Sequence, residues 1–546
     1  RSCASPIGAP RKRKKRPAMM TYEHILHGCA PVPLAGYLKA LGVFRLVAEQ
    51  ADPDARGFWR DERFVLLTRL NEDELVQFFV AKYKPSPIIS PWNGRAGFLE
   101  GEEEGSNEES SRQGAKLVRH YESADKRFGK LRCAVNIYRN ISIIKELDKA
   151  RAEAKPLQAK KGKKITLTDD DKDQLKNLES VIKRCKSSAI ACLRSEAPDW
   201  AVNWFDACQR IGAGNFPMPL LGSGGNDGSR DFGMNFGSSL GELFDFRTGK
   251  PRENTMALIR ESLGFDIIYG LSSGNLGQYK PGGIGENTTS GFVGEQPFNP
   301  AELILLLEGA VIFSGITTRR LEGDAARLSF PFTVEALTAG SGAAANVDDQ
   351  NFSEFWAPIW TRAARLEELE AFLAEGRTAV DGKTAKDGLE FAVALSTLGS
   401  QRGIPEYQRF ALLQREPRYP KKATPLGRVR VRQNQRASLV SELDASGWLS
   451  RARNAVQGES IPASLRTLGR NLDETLFRLT AIDSTEVVQE AMIAVGYFTL
   501  ELGRRPRFHK DLPPPPHLSS KWIRAADDGS HEFALAEALA SLDAID

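Results

Sequence analysis

Four glycines in seven residues, Gly222, Gly224, Gly225 and Gly228, lie within Pro219-Leu-Leu-Gly-Ser-Gly-Gly-Asn-Asp-Gly-Ser-Arg-Asp-Phe, a segment that ends near Asn235 and Phe236. Lacking Cβ atoms, such a backbone can approach a ligand closely and aim N–H groups at an anion. The interleaved Asn226, Arg230 and Asn235 are the residue types that pair with base edges or phosphate. The spacing departs from the dinucleotide fingerprint and from the NTPase phosphate loop, and no Lys-Ser or Lys-Thr follows, so ATP hydrolysis is not supported. The alternative is an ordered turn held by Asn226 and Asp227. A second glycine-rich loop, Gly270 to Gly285, offers Asn275, Gln278, Tyr279 and Lys280 for hydrogen bonding, stacking and charge. Its alternative is a plain surface turn.

Net charge is only +4, but the charges are segregated. From Arg402 to Arg436 there are ten Lys and Arg against two Asp and Glu, a net of +8; from Lys116 to Lys164 there are fifteen against five, a net of +10. Both segments suit phosphate. The first carries Arg409, Arg415, Arg418, Lys421, Lys422, Arg428, Arg430 and Arg432 among Tyr407, Phe410 and Tyr419. Arg428, Arg430 and Arg432 alternate, so in an extended strand they share one face and form a row of positive charge. Arg319 and Arg320 follow an apolar helix, where arginines either cap terminal carbonyls or bind phosphate. Asn93 lies in Lys84 to Phe98, expected to be an ordered loop and a contact surface.

No nucleophile or metal motif can be assembled locally. His24, His27 and Cys29 form an H-x-x-H-x-C string without a fourth ligand. Cys185 and Cys192 are seven apart on one helical face, and Asp169, Asp170 and Asp171 are explained by a helix N-terminus. H-E-x-x-H and Walker patterns are absent. A non-catalytic chain with no cofactor and no metal is expected. Two other classes stay open: a metal-dependent nuclease with dispersed carboxylates, and a generic scaffold without nucleic-acid affinity.

These segments need a framework. At 546 residues, 41% hydrophobic and 26% charged, the chain is a packed protein of several domains. Six sparse cysteines fit a reducing compartment, and the longest apolar stretch, Leu303 to Ile316, is too short to span a bilayer, so a cytoplasmic location without membrane contact is expected. The expected fold class is α+β, with a mixed α/β N-terminal and central region and a mainly helical C-terminal region. Residues 1–20 form a basic, disordered tail containing Arg11 to Arg16; 21–99 a mixed α/β part; 100–197 an acidic loop and a basic helical insertion. Residues 198–350 are expected to form a glycine-rich α/β domain, 351–512 a mainly helical domain, and 513–546 a proline linker leading into the start of a truncated C-terminal helical part. Apolar spacing predicts a helix from Leu34 to Gln50, a strand from Arg63 to Thr68, a helix beginning at Asn71 and a buried helix at Leu303. A strand is expected from Arg327 to Val334, and nearly all helix from Ser353 onward. Thr168 with Asp171 reads as a capping box, with a basic hairpin tip at Lys160 to Lys164.

Gly28-Cys-Ala-Pro-Val-Pro-Leu, Tyr37-Leu-Lys-Ala-Leu-Gly, Ser90-Pro-Trp-Asn, Leu220-Leu-Gly-Ser-Gly-Gly-Asn-Asp-Gly, Leu307-Glu-Gly-Ala with Arg319-Arg-Leu, and Gln401-Arg-Gly-Ile together resemble one family. It is the Csx-type large subunit of the type I-U, also called I-G, CRISPR interference complex, and the likeness runs from about Thr21 to about His531. The resemblance implies a Cascade-like assembly of guide RNA, target DNA, and backbone and RNA-processing subunits. In it the large subunit helps recognise the protospacer-adjacent motif and supports the displaced strand, while a helicase-nuclease recruited in trans cuts. Base pairing then reads most of the sequence. No residue-level motif transfers, so the site residues named above rest on their chemistry.

Overall fold

The computed structural model of the protein describes residues 20–89, 109–162, 167–198, 220, 226–227, 230–274, 276, 279–280, 296–313, 316–318, 327–329, 331–335, 353–374, 379–380, 383–385, 387–398, 403–413, 422–444, 446–456, 461–505 and 515–542. The fold is α+β. Strands β1 (Tyr22–Leu26), β2 (Arg56–Arg60) and β3 (Arg63–Thr68) pair antiparallel in the order β1-β3-β2, with Tyr22 opposite Thr68 and Arg60 opposite Arg63. The β2–β3 hairpin turns on Asp61 and Glu62, both in the left-handed region at φ 47° and 61°. Helix α1 (Leu34–Gln50) spans the expected residues. Helix α2 (Glu72–Gln77) begins at Asn71 with a capping box, then widens into a π-helical turn over Phe78–Lys82.

The basic segment is helical: α3 (Glu109–Glu122), α4 (Gly129–Asn140), α5 (Ser142–Gly162) and α6 (Asp169–Glu196). Helices α5 and α6 form an antiparallel hairpin sealed by Ala150, Ala154 and Leu157 against Leu175 and Leu178. Ion pairs between Arg184 and Glu146 at 2.6 Å and Lys160 and Asp171 at 3.4 Å fix its register. Thr168 and Asp171 exchange the two capping-box hydrogen bonds. Arg127, in the short turn before α4, docks the insertion by donating to the carbonyls of Phe79, Val80, Tyr83 and Gly249, with its guanidinium 3.8 Å from the Phe244 ring centre. Burial lowers its pKa to about 10, so the carbonyl bonds must offset the desolvation of the charge.

The central part holds β4 (Asn226–Asp227), β5 (Arg230–Asp231), α7 (Phe232–Leu243), α8 (Thr255–Leu263), β6 (Ser273–Gly274), β7 (Gln296–Pro297) and α9 (Pro300–Ala310). The two central helices of the core are α1 and α9, the latter buried throughout apart from the edge of Glu302. They meet at glycines: a Cβ on Gly42 would fall 1.9 Å from the Leu305 carbonyl oxygen, and one on Gly309 1.8 Å from that of Leu38. Two of the resemblance-bearing motifs, Tyr37-Leu-Lys-Ala-Leu-Gly and Leu307-Glu-Gly-Ala, are thus the two halves of one helix contact. At the same contact, fully buried Glu308 accepts hydrogen bonds from Arg45, the Tyr83 hydroxyl at 2.6 Å and the Ser86 N–H at 2.8 Å.

The next strands are β8 (Ile316–Thr318), β9 (Arg327–Ser329), β10 (Thr333–Glu335), β11 (Ser353–Ile359) and β12 (Ala364–Arg365). The single strand expected from Arg327 to Val334 is two: β9 pairs with β8 and β10 with β11, with Phe332 between them at φ 53°, a conformation no continuous strand accommodates. After α10 (Leu366–Ala374), β13 (Ala379–Val380), β14 (Lys383–Thr384) and α11 (Gly388–Leu398) come β15 (Glu406–Leu413) and β16 (Lys422–Arg430). They complete a second antiparallel sheet, β10-β11-β15-β16, while β12 adds to the edge of the first. Helix therefore does not begin at Ser353. Strand β11 is buried on both faces, so its apolar residues run without the alternation that marks a half-exposed strand. The sheets are tied together by Trp360, whose indole N–H donates to Gly57 and whose carbonyl accepts from Trp59. From Ser438 the described residues are helical: α12 (Ser438–Leu443), α13 (Trp448–Ala455), α14 (Ala463–Ala481), α15 (Thr485–Gly503), α16 (Ser520–Ala526) and α17 (His531–Leu542). Leu472, Leu476 and Leu479 bury as their spacing requires, against Trp448, Phe498 and Trp522. No helix among the described residues is long and apolar enough to cross a membrane.

Candidate nucleic-acid interface

The arginine row lies on β16, an edge strand. Pro425 is tolerated there because no outer neighbour needs its missing N–H, and a bulge opposite Arg409 and Phe410 is accommodated by Gly427 at φ 97°. Opposite pairs across the hairpin are Gln408 with Arg428, Tyr407 with Val429 and Glu406 with Arg430. Tyr407 and Val429 are buried, so Arg428 and Arg430 project from the other face together with Glu406 and Gln408. Arg432 lies just beyond the strand and is exposed.

The row is less positive than its own segment implies. Arg428 makes a bidentate ion pair with Glu62 of the β2–β3 turn, lies 3.3 Å from Glu406 and donates to Gln408 at 3.2 Å. Arg430 is open, with 72% of its side chain exposed and its nearest acid, Glu406, 4.0 Å away. Arg409 of the same run is not available at all: it is buried in an ion pair with Glu354, under the rings of Trp356 and Phe477. Lys422 opens β16 and is half-buried. Arg418 and Lys421 lie outside the described residues.

The helical hairpin presents a second cationic surface. Lys145, Lys149 and Lys155 on α5 and Lys176 and Lys183 on α6 are exposed, and none makes an ion pair among the described residues. Lys145 and Lys149 are four apart and Lys176 and Lys183 seven apart, so each pair occupies one face. The Glu146–Arg184 and Lys160–Asp171 register sets Lys183 level with the first pair and Lys176 level with Lys155. Composition marks this region, but alternation and glycine punctuation are easier to read in a sequence than a solvated helix face.

The glycine-rich candidates divide. Asn226 stands opposite Asp231 and Asp227 opposite Arg230 on the paired strands β4 and β5, so the segment closes as a short hairpin. Asn235 is not in that loop: it lies in the first turn of α7, half-buried, flanked by buried Met234 and Phe236. Tyr279, expected as a stacking residue, is fully buried against Phe232 with ring centres 5.9 Å apart. Lys280 approaches Glu302 at 3.9 Å, and Glu302 also holds buried Lys39 at 3.2 Å, so this lysine is directed toward a core ion pair. The residues before Arg319 and Arg320 form strand β8, so the pair does not follow the buried helix directly. Arg319, Arg320 and Asn93 lie outside the described residues.

The His24-x-x-His27-x-Cys29 string has a structural explanation. The His24 ring bonds to the Leu70 carbonyl at 2.8 Å, and burial pushes the Cys29 thiol up to about 12. Among the described residues no group of three or more His, Cys, Asp or Glu is placed to hold a metal ion. No protein-family model matches the chain, and no curated protein matches it either.

Proposed function

We propose that this chain is the non-catalytic large subunit of an RNA-guided CRISPR surveillance complex of the type I-U or I-G kind, acting in the cytoplasm. It binds target DNA beside the guide RNA, contributes to recognition of the protospacer-adjacent motif and supports the displaced strand. Backbone and RNA-processing subunits complete the assembly, and a helicase-nuclease recruited in trans does the cutting. The observation that carries this reading is the set of five exposed, unpaired lysines on α5 and α6, joined by Arg430 and Arg432 at the end of β16. Lysines that pair with no acid among the described residues are free to meet phosphate, with the counterion release that such contacts bring. Such contacts position a strand without reading it, which suits a subunit whose specificity is delegated to base pairing.

The purified chain, given Mg²⁺ or Mn²⁺ with DNA and RNA substrates, is expected to bind them and leave them uncut. Cleavage that disappears on substituting one Asp or Glu would replace this reading with the nuclease. Absence of binding at low salt would replace it with the generic scaffold.

A further inference from the structure

Glutamate is an unexpected residue at the β2–β3 turn. A two-residue hairpin turn with both central φ values positive favours Asn-Gly or Asp-Gly, and a glutamate at the second position brings a Cβ into the left-handed region without the short polar side chain that eases Asn or Asp there. The chain nevertheless places Glu62 there, at φ 61°, after Asp61 at φ 47°. Its carboxylate meets the Arg428 guanidinium through both oxygens. Arg428 itself is held from the sheet side by Gln408 and Glu406, so its outer edge is the part that Glu62 covers. Arg430 on the same face remains open, as does Arg432 beyond the strand.

A carboxylate bound bidentately to arginine occupies the same donor fork that a phosphate would. We propose that the β2–β3 tip is a built-in phosphate mimic: Glu62 caps Arg428 in the free chain, and a nucleic-acid backbone must displace it to use the whole row. This inference rests on the reading of β16 as a phosphate-binding row. The competition lowers affinity for stray nucleic acid, because drawing Arg428 onto phosphate frees the Glu62 carboxylate to take up a cation, which offsets part of the counterion release. A strand held in register by the rest of the assembly carries enough further contacts to open the cap.

The test compares full-length wild type, Glu62→Gln, Arg428→Gln, the double variant and Arg430→Ala with Arg432→Ala, using a labelled single-stranded DNA oligonucleotide at several salt concentrations. Glu62→Gln is expected to steepen the log–log salt slope by about 0.7 and to raise affinity about fivefold near 0.1 M salt, one additional phosphate contact on a single strand. In the Arg428→Gln background that gain is expected to vanish. A gain that persists without Arg428 would make Glu62 a general like charge and overturn the cap. So would an unchanged Glu62→Gln affinity in a protein whose binding still falls on losing Arg430 and Arg432, which leaves the phosphate row standing. If losing Arg430 and Arg432 also changes nothing, row and cap fall together. Thermal melts of each variant identify any loss that reflects unfolding.

Discussion

Glu308→Ala is expected to destabilise the folded chain by about 3–5 kcal/mol, the range for removing one partner of a buried ion pair. Glu308 is fully buried and accepts from Arg45, the Tyr83 hydroxyl and the Ser86 N–H. Alanine leaves three donors facing apolar surroundings, one of them a guanidinium whose other ion-pair partner among the described residues, Glu49, is half-exposed at 3.5 Å. The unpaired donors dominate the cost, not the loss of attraction, so Arg45→Met combined with Glu308→Leu should recover the share due to the stranded guanidinium, while the Tyr83 hydroxyl and the Ser86 N–H keep the double variant below wild type. Denaturant unfolding of the two variants checks this. A Glu308→Ala midpoint equal to wild type would mean that water or another group reaches this part of the core. The segment ending at Ser86 leads toward Ser90-Pro-Trp-Asn, so the same substitution should make the chain between Tyr83 and Ile89 more sensitive to proteolysis than the helices around it.

The largest expected effect on function is on the hairpin. Replacing Lys145, Lys149, Lys176 and Lys183 together by Ala should lower affinity for duplex DNA about 10³-fold near 0.1 M salt and flatten the log–log slope by about 0.9 for each lysine that meets phosphate. The four side chains are exposed and outside the α5–α6 seam, so helix content and melting temperature should stay at wild-type values. Arg430→Ala with Arg432→Ala should act in the same direction and less, since only two contacts are lost. An unchanged slope in the lysine variant, with the fold intact, would mean that the hairpin faces solvent or protein.

What the sequence made legible follows from how far each signal reaches. Helix α1, strand β3, the helix start at Asn71 and the capping box at Thr168 are local features, written in spacings of two to four residues, and the structure has them at the expected positions. Strands β11 and β15 were missed because a strand buried on both sides loses its alternation, and β10 was fused with β9 because the break at Phe332 is a backbone conformation that a phenylalanine does not announce. The arginine row shows the harder limit. Alternation places Arg428 and Arg430 on one face, and the structure agrees, but Glu62 reaches Arg428 from 366 residues away and Glu354 takes Arg409 into the core from 55 away. Local charge counting cannot see partners at that separation. The same holds for Tyr279, whose neighbours Gly277 and Lys280 read as a surface loop while its ring packs on Phe232. The resemblance-bearing motifs turn out to include core architecture, with Gly42, Gly309 and Glu308 shaping the α1–α9 contact.

The central claim, membership of an RNA-guided assembly, is tested most directly by recovering the chain from its native cells and analysing what comes with it. Short RNA of one uniform length is expected together with three other protein subunits, with release of the chain from that RNA as salt is raised. Recovery of the chain with no RNA at low salt, or with RNA of random length and no partner subunits, would contradict it.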